Sequence, residues 1–96
     1  MMAEKILLVD DDSNILEGYR RSLSREFPME TAEGGPQALA LATDRGPYAV
    51  VISDMRMPGM DGIQLLTRIK ALSPDTIRVM LTGNADTETA SQSNGG

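Results

Sequence analysis

Four short apolar runs, Lys5 to Val9, Phe27 to Ala32, Tyr48 to Ser53 and Thr76 to Leu81, follow one another roughly 20 to 28 residues apart, with helix patterns in the gaps. Short strands joined by helix-length crossovers imply one architecture, an α/β parallel sheet with helices on both faces. Ile15, Leu16, Tyr19 and Leu23 recur at helical spacing behind Asp12 or Ser13 as N-cap. Gly34-Gly35-Pro36 introduces a second helix reaching about Asp44, with proline suited to its first turn. On a third, Ile63, Leu66, Ile69 and Leu72 are expected to supply the apolar face, and the helix should end before Pro74. The chain then changes character, and Ser91-Gln92-Ser93-Asn94-Gly95-Gly96 reads as a flexible polar tail.

Composition narrows the chemistry. A chain of 96 residues, 41% hydrophobic and 24% charged, is expected to form a single compact domain near the lower end of what buries a core unaided. Its 9 basic residues against 14 acidic ones, a net charge of -5, lack the electrostatic footprint of a nucleic-acid surface. With no cysteine and no histidine there is neither thiolate nor imidazole to bind metal, and carboxylates are what remains. The first apolar run, Ile6 to Val9, is too short for a signal peptide or membrane span, so a cytoplasmic location is expected.

The carboxylates are not scattered. Asp10-Asp11-Asp12 closes the first strand and Asp54 closes the third, and ligands of such sheets bind outside the carboxyl ends of the strands. Acids a few ångströms apart repel by roughly 4 kcal/mol per pair at intermediate dielectric, so they either hold protons or recruit a cation. An oxygen-only site selects a hard ion, and magnesium, content with one or two carboxylates plus waters and a phosphate, fits better than calcium. A calcium loop beginning at Asp10 would need glycine at its sixth position and glutamate at its twelfth, where Ile15 and Arg21 stand. Asp12 and Asp61 read as helix caps, and Met55, Met57 and Met60 as packing residues.

Three strings taken together resemble the receiver domain of two-component response regulators: Ile6-Leu7-Leu8-Val9-Asp10-Asp11-Asp12, Val51-Ile52-Ser53-Asp54-Met55-Arg56-Met57-Pro58-Gly59-Met60-Asp61-Gly62, and Val79-Met80-Leu81-Thr82-Gly83. Each ends a predicted strand. The resemblance implies a flavodoxin-like (CheY-like) doubly wound sheet, with residues 1–90 as an incomplete receiver domain and 91–96 as the tail. It implies that Asp54 is the phosphoacceptor, that Asp10, Asp11, Asp54 and the backbone carbonyl of Arg56 hold Mg2+, and that Thr82 contacts the phosphoryl group and relays the switch. The implied partner is a sensor histidine kinase or a histidine phosphotransfer protein, and the implied role is signalling, not enzymatic turnover.

The sequence departs from the family in lacking the fifth β-α unit and its lysine. Lys70, near the far end of the third helix and roughly 12 Å or more from Asp54 at about 1.5 Å rise per residue, cannot replace it. Ile77, Val79 and Leu81 should therefore lie on an open sheet edge, with self-association, a domain swap or else a marginally stable fragment as the expected consequence. A second functional expectation follows, a truncated or degenerate receiver acting as a phosphorylation-independent interaction or dimerisation module. An aspartate-nucleophile phosphatase fits less well, since it wants an acid two residues after Asp54, where Arg56 stands. A flavin or nucleotide module would need a Gly-, Ser- or Thr-rich turn after the first strand, which is acidic instead.

Overall fold

In the computed structural model, residues 5–23 and 25–81 are described, and they form the elements β1 (Ile6–Val9), α1 (Ser13–Leu23), β2 (Met29–Ala32), α2 (Gly35–Arg45), β3 (Val50–Asp54), α3 (Gly62–Leu72) and β4 (Ile77–Leu81). Thr82, the expected domain end at residue 90 and the expected tail lie outside the described residues. All strands are parallel, in the order β2-β1-β3-β4, with Val9 level with Ser53 and Asp54 level with Leu81. This is the flavodoxin-like doubly wound arrangement. Right-handed crossovers leave β1 in one direction for β2 and return past it for β3 and β4, which puts α1 on one face and α2 with α3 on the other.

The pleat sorts the side chains. Leu7, Val9 and Val51 point to the α2–α3 face and form the core with Ala38, Leu65, Leu66 and Ile69. Leu8 faces the other way, where Leu16 is the buried residue of α1. Ile77 and Val79 are level with Val50 and Ile52 on this second face and are 61% and 37% exposed.

Helix rotation differs from the sequence expectation in two places. In α3 the buried residues are Gly62, Leu65, Leu66 and Ile69, while Ile63 and Leu72 face outward at 55% and 51% exposure. The cause is the entry to the helix. Asp61 and Gln64 form a reciprocal capping box, with the Gln64 N–H donating to Asp61 Oδ1 at 2.8 Å and the Asp61 N–H to Gln64 Oε1 at 3.1 Å. Gly62 is pressed against the end of β3, and positions 62, 65, 66 and 69 then share one stripe. In α1 only Leu16 is buried, while Ile15 and Tyr19 are substantially exposed because no described helix lies beside α1. β2 is also shorter than expected, starting at Met29 with Phe27 exposed. Arg78 is half-buried and donates to the Thr76 carbonyl at 2.8 Å.

Candidate functional site

The register brings two acidic strand ends together. Because β1 and β3 are hydrogen-bonded neighbours with Val9 beside Ser53, the next residues, Asp10 just past β1 and Asp54 at the last position of β3, stand at the same height. One carboxylate oxygen from each of Asp10, Asp11 and Asp54 lies within 4.8 Å of the others. Asp10 is only 9% exposed, Asp54 is half-buried and Asp11 faces solvent.

Local hydrogen bonds hold these side chains in place. Asp10 Oδ1 accepts from the Asp12 N–H at 2.9 Å, which turns its carboxylate back over the chain. Asp12 in turn caps α1, its Oδ1 accepting from the Asn14 N–H at 2.9 Å, so it serves the helix as the sequence led one to expect. The loop after Asp54 is fixed through its backbone: the Met55 N–H donates to the Leu81 carbonyl and the Gly62 N–H to the Met55 carbonyl, both at 2.9 Å.

Glycine is obligatory at 62. A Cβ there would strike the Asp54 carbonyl oxygen and stand 3.0 Å from the Met55 Cα. Gly35 gives similar clearance to Met60, whose side chain would meet a Cβ at 2.7 Å, and this contact ties the start of α2 to the β3–α3 loop. Met57 is buried in the core and Met60 packs against it, so both are packing residues as expected. Gly59, at φ 80, takes the left-handed conformation that a turn after Pro58 requires.

Crowded carboxylates resist ionisation. Burial raises the Asp10 pKa above its ordinary value, the Asp12 N–H opposes this, and the charges of Asp54 and Asp11 push it up further. Asp54 is likewise raised, first by burial and then by the charge of Asp11, against the opposing Met55 N–H and Arg56 guanidinium. The cluster offers only oxygen donors at the spacing one small cation spans, so it fits a magnesium ion held by a few carboxylates and water.

The opposite end of the sheet holds a cluster that the sequence reading missed. Glu30 of β2 accepts from the Tyr48 hydroxyl at 2.5 Å and from Arg45 at 3.1 Å, with Lys5 at 3.9 Å. Lys5 also donates to the Arg45 carbonyl at 2.9 Å and lies 5.0 Å from the Tyr48 ring centroid. The hydroxyl bond from Tyr48 and the charges of Arg45 and Lys5 lower the Glu30 pKa. Lys5 and Glu30 are each 15 to 43 positions from the other members of the cluster, and the one available signal was a buried tyrosine whose hydroxyl needs a partner.

Known proteins resemble this chain in sequence and in fold. The family model for the response regulator receiver domain matches residues 6–94. The C4-dicarboxylate transport transcriptional regulatory protein DctD of Rhizobium meliloti is 37% identical over 92 residues, which cover 94% of this chain and 20% of that protein. The hydrogenase transcriptional regulatory protein HoxA of Cupriavidus necator is 34% identical over 83 residues, 86% of this chain and 17% of that protein. The chain thus spans about a fifth of the length of these relatives. Among solved structures, the response regulator TrrA of Thermotoga maritima in complex with Mg(2+)-BeF is 32% identical with a TM-score of 0.78, covering 90% of this chain and 75% of that one. A protein from Rhodopirellula baltica described as adenylate cyclase is 42% identical with a TM-score of 0.83, over 98% of this chain and 70% of the other.

Proposed function

Since the chain belongs to the receiver domain family of two-component response regulators, we propose that Asp54 is its phosphoacceptor and that phosphorylation there is its signalling event. The observation that carries the reading is the convergence of the Asp10, Asp11 and Asp54 oxygens at the carboxyl edge. An Asp54 carboxylate oxygen attacks the phosphorus of a phosphohistidine on a sensor histidine kinase or a histidine phosphotransfer protein. An O–P bond forms, the P–N bond breaks, and its electron pair returns to the imidazole, leaving an acyl phosphate. Asp10, Asp11, Asp54 and the Arg56 backbone carbonyl would hold Mg2+. When bound, the ion offsets charge on the transferring group and favours in-line geometry.

Asp10 and its bond from Asp12 keep the acidic wall in place, and the Gly62 contact fixes the height of Asp54. Thr82 follows β4, whose last residue is level with Asp54, and is assigned the hydroxyl contact to the phosphoryl group and the relay of the switch. The protein acts as a switch, not a turnover enzyme, in the cytoplasm. No described helix is long and apolar enough to cross a membrane. Nucleic-acid binding is not assigned to this acidic segment.

Incubation with acetyl phosphate or beryllofluoride tests this reading. Label should be magnesium-dependent and absent from Asp54→Asn, and equal labelling of that variant would overturn it. A second reading has its own support in the exposed Ile77 and Val79 of β4, the edge strand among the described residues: an interaction or dimerisation module that works without phosphorylation. Light scattering would then find dimers indifferent to magnesium and acetyl phosphate, whereas a stable monomer would exclude self-association through this edge.

A further inference from the structure

With no cysteine in the sequence, the seven methionines hold all of its sulfur and are where a mild oxidant acts. Met29, Met55, Met57, Met60 and Met80 lie among the described residues. Met57 is closed off at 7% exposure, and the other four are half-buried.

Met60 is set apart by what its sulfur touches. Gly35 is buried at the first position of α2, and the atoms nearest to a Cβ built there would be Met60 Sδ, Cβ and Cγ, at 2.7, 2.8 and 2.9 Å. The thioether thus lies against glycine backbone, in space that a side chain at 35 would take. Elsewhere Met60 packs against the core. These contacts anchor the β3–α3 loop between Gly59, at φ 80, and the Asp61 cap, where the Met60 N–H also donates to the Pro58 carbonyl at 3.0 Å. The same loop carries Met55 and Arg56 directly after Asp54.

We infer that Met60 is a site of reversible oxidation, at which conversion to the sulfoxide by a peroxide detaches the β3–α3 loop from α2 and lowers phosphoryl uptake at Asp54. The inference rests on Asp54 being the acceptor. In the step, a sulfur lone pair attacks one oxygen of hydrogen peroxide, an S–O bond forms and the O–O bond breaks. The proton on the transferred oxygen passes to the departing hydroxide, so sulfur is oxidised and the peroxide is reduced to water. An oxygen on that sulfur has no room toward Gly35, and toward the core it is a polar atom without a donor. The oxidised side chain therefore swings outward, and the loop loses its anchor.

The test applies hydrogen peroxide to the wild-type chain, Met60→Leu and Met55→Leu. Peptide mass maps the oxygen gained at each methionine, and beryllofluoride affinity at saturating magnesium is measured before and after. The wild type and Met55→Leu should gain oxygen at Met60 and bind beryllofluoride about tenfold more weakly, the usual size of a loss in the support around a metal site. Met60→Leu, close in volume, should start near the wild-type affinity and keep it. Methionine sulfoxide reductases should restore the treated wild type. Met60 left unoxidised while Met29, Met55 or Met80 gains oxygen overturns the inference, as does an equal loss in Met60→Leu or an unchanged affinity in the oxidised wild type. Each of these leaves Asp54 as acceptor intact. A wild-type chain that takes up no beryllofluoride before any peroxide is added overturns the acceptor reading itself and this inference with it.

Discussion

At the amino end of the sheet Glu30 is surrounded by Tyr48, Arg45 and Lys5, and its pKa falls, whereas at the carboxyl end Asp10 and Asp54 sit with Asp11 and their pKa values rise. The same functional group stabilises one end and strains the other. Strands of parallel sheets all point one way, so crossover helices deliver their basic last turns to the amino end and leave the carboxyl end for loops. Here Arg45 closes α2 beside Glu30, while the acids stand at the ends of β1 and β3 with no basic last turn of a described helix near them. The paired end contributes to the fold. The unpaired end holds electrostatic strain that a cation can relieve.

The largest expected effect separates the two ends by chemistry. Asp54→Asn should lose all magnesium-dependent label from acetyl phosphate, while Glu30→Ala, folded at low temperature, should still be labelled. If both variants lose label equally, the division of labour is wrong. Next in size, Gly62→Ala should cost about 3 kcal/mol in urea unfolding, because its new methyl meets backbone that cannot yield without shifting Asp54. Ordinary stability would mean the loop adapts and the height of Asp54 is not sterically fixed.

Glu30→Ala should cost about 2 kcal/mol, since the Tyr48 hydroxyl loses its charged acceptor and Tyr48 is only 3% exposed. Asp54→Asn has the opposite sign: relief of repulsion should stabilise the magnesium-free protein by roughly 1 kcal/mol at neutral pH. A destabilised Asp54→Asn would end the claim that this end is strained.

The smallest effect is read from pH. Glu30 is depressed below its ordinary value of 4.5, so its contribution is present above that pH and is lost as pH falls through the folded value. Asp10 and Asp54 are raised above 3.8, so the folded protein binds their protons more tightly and stability declines as pH rises from 3.8 through their folded values. The stability advantage of Asp54→Asn should therefore vanish below pH 3.8 and shrink at neutral pH when magnesium is added. Thermal melts across pH 3 to 8, with and without the ion, check both signs. An advantage that persists unchanged in acid would assign it to packing instead.

Much of the candidate site was legible along the chain because strand ends are marked by composition. Apolar runs stop abruptly at Asp10 and at Asp54, and in a parallel sheet those stops must share an edge. The caps Asp12 and Asp61 were legible too, since both stand just before helical patterns and Gln64 completes the capping box. The Glu30 cluster was not legible, because nothing local couples Lys5, Glu30, Arg45 and Tyr48 until β1, β2, α2 and β3 are assembled. The rotation of α3 was misread for a related reason. Ile63 and Leu72 are as apolar as Leu65, and periodicity admits either stripe until the close approach of Gly62 to β3 selects one.

By itself the sequence determined the order of strands and helices and which acids would stand at the carboxyl edge, because short-range patterning sets each element and the pleat dictates which residue ends it. Tertiary structure alone decided how far apart those carboxylates sit, which helix face is buried, and which cations are spent elsewhere. Register, handedness and backbone contact are relations between segments, and no single stretch of chain contains them.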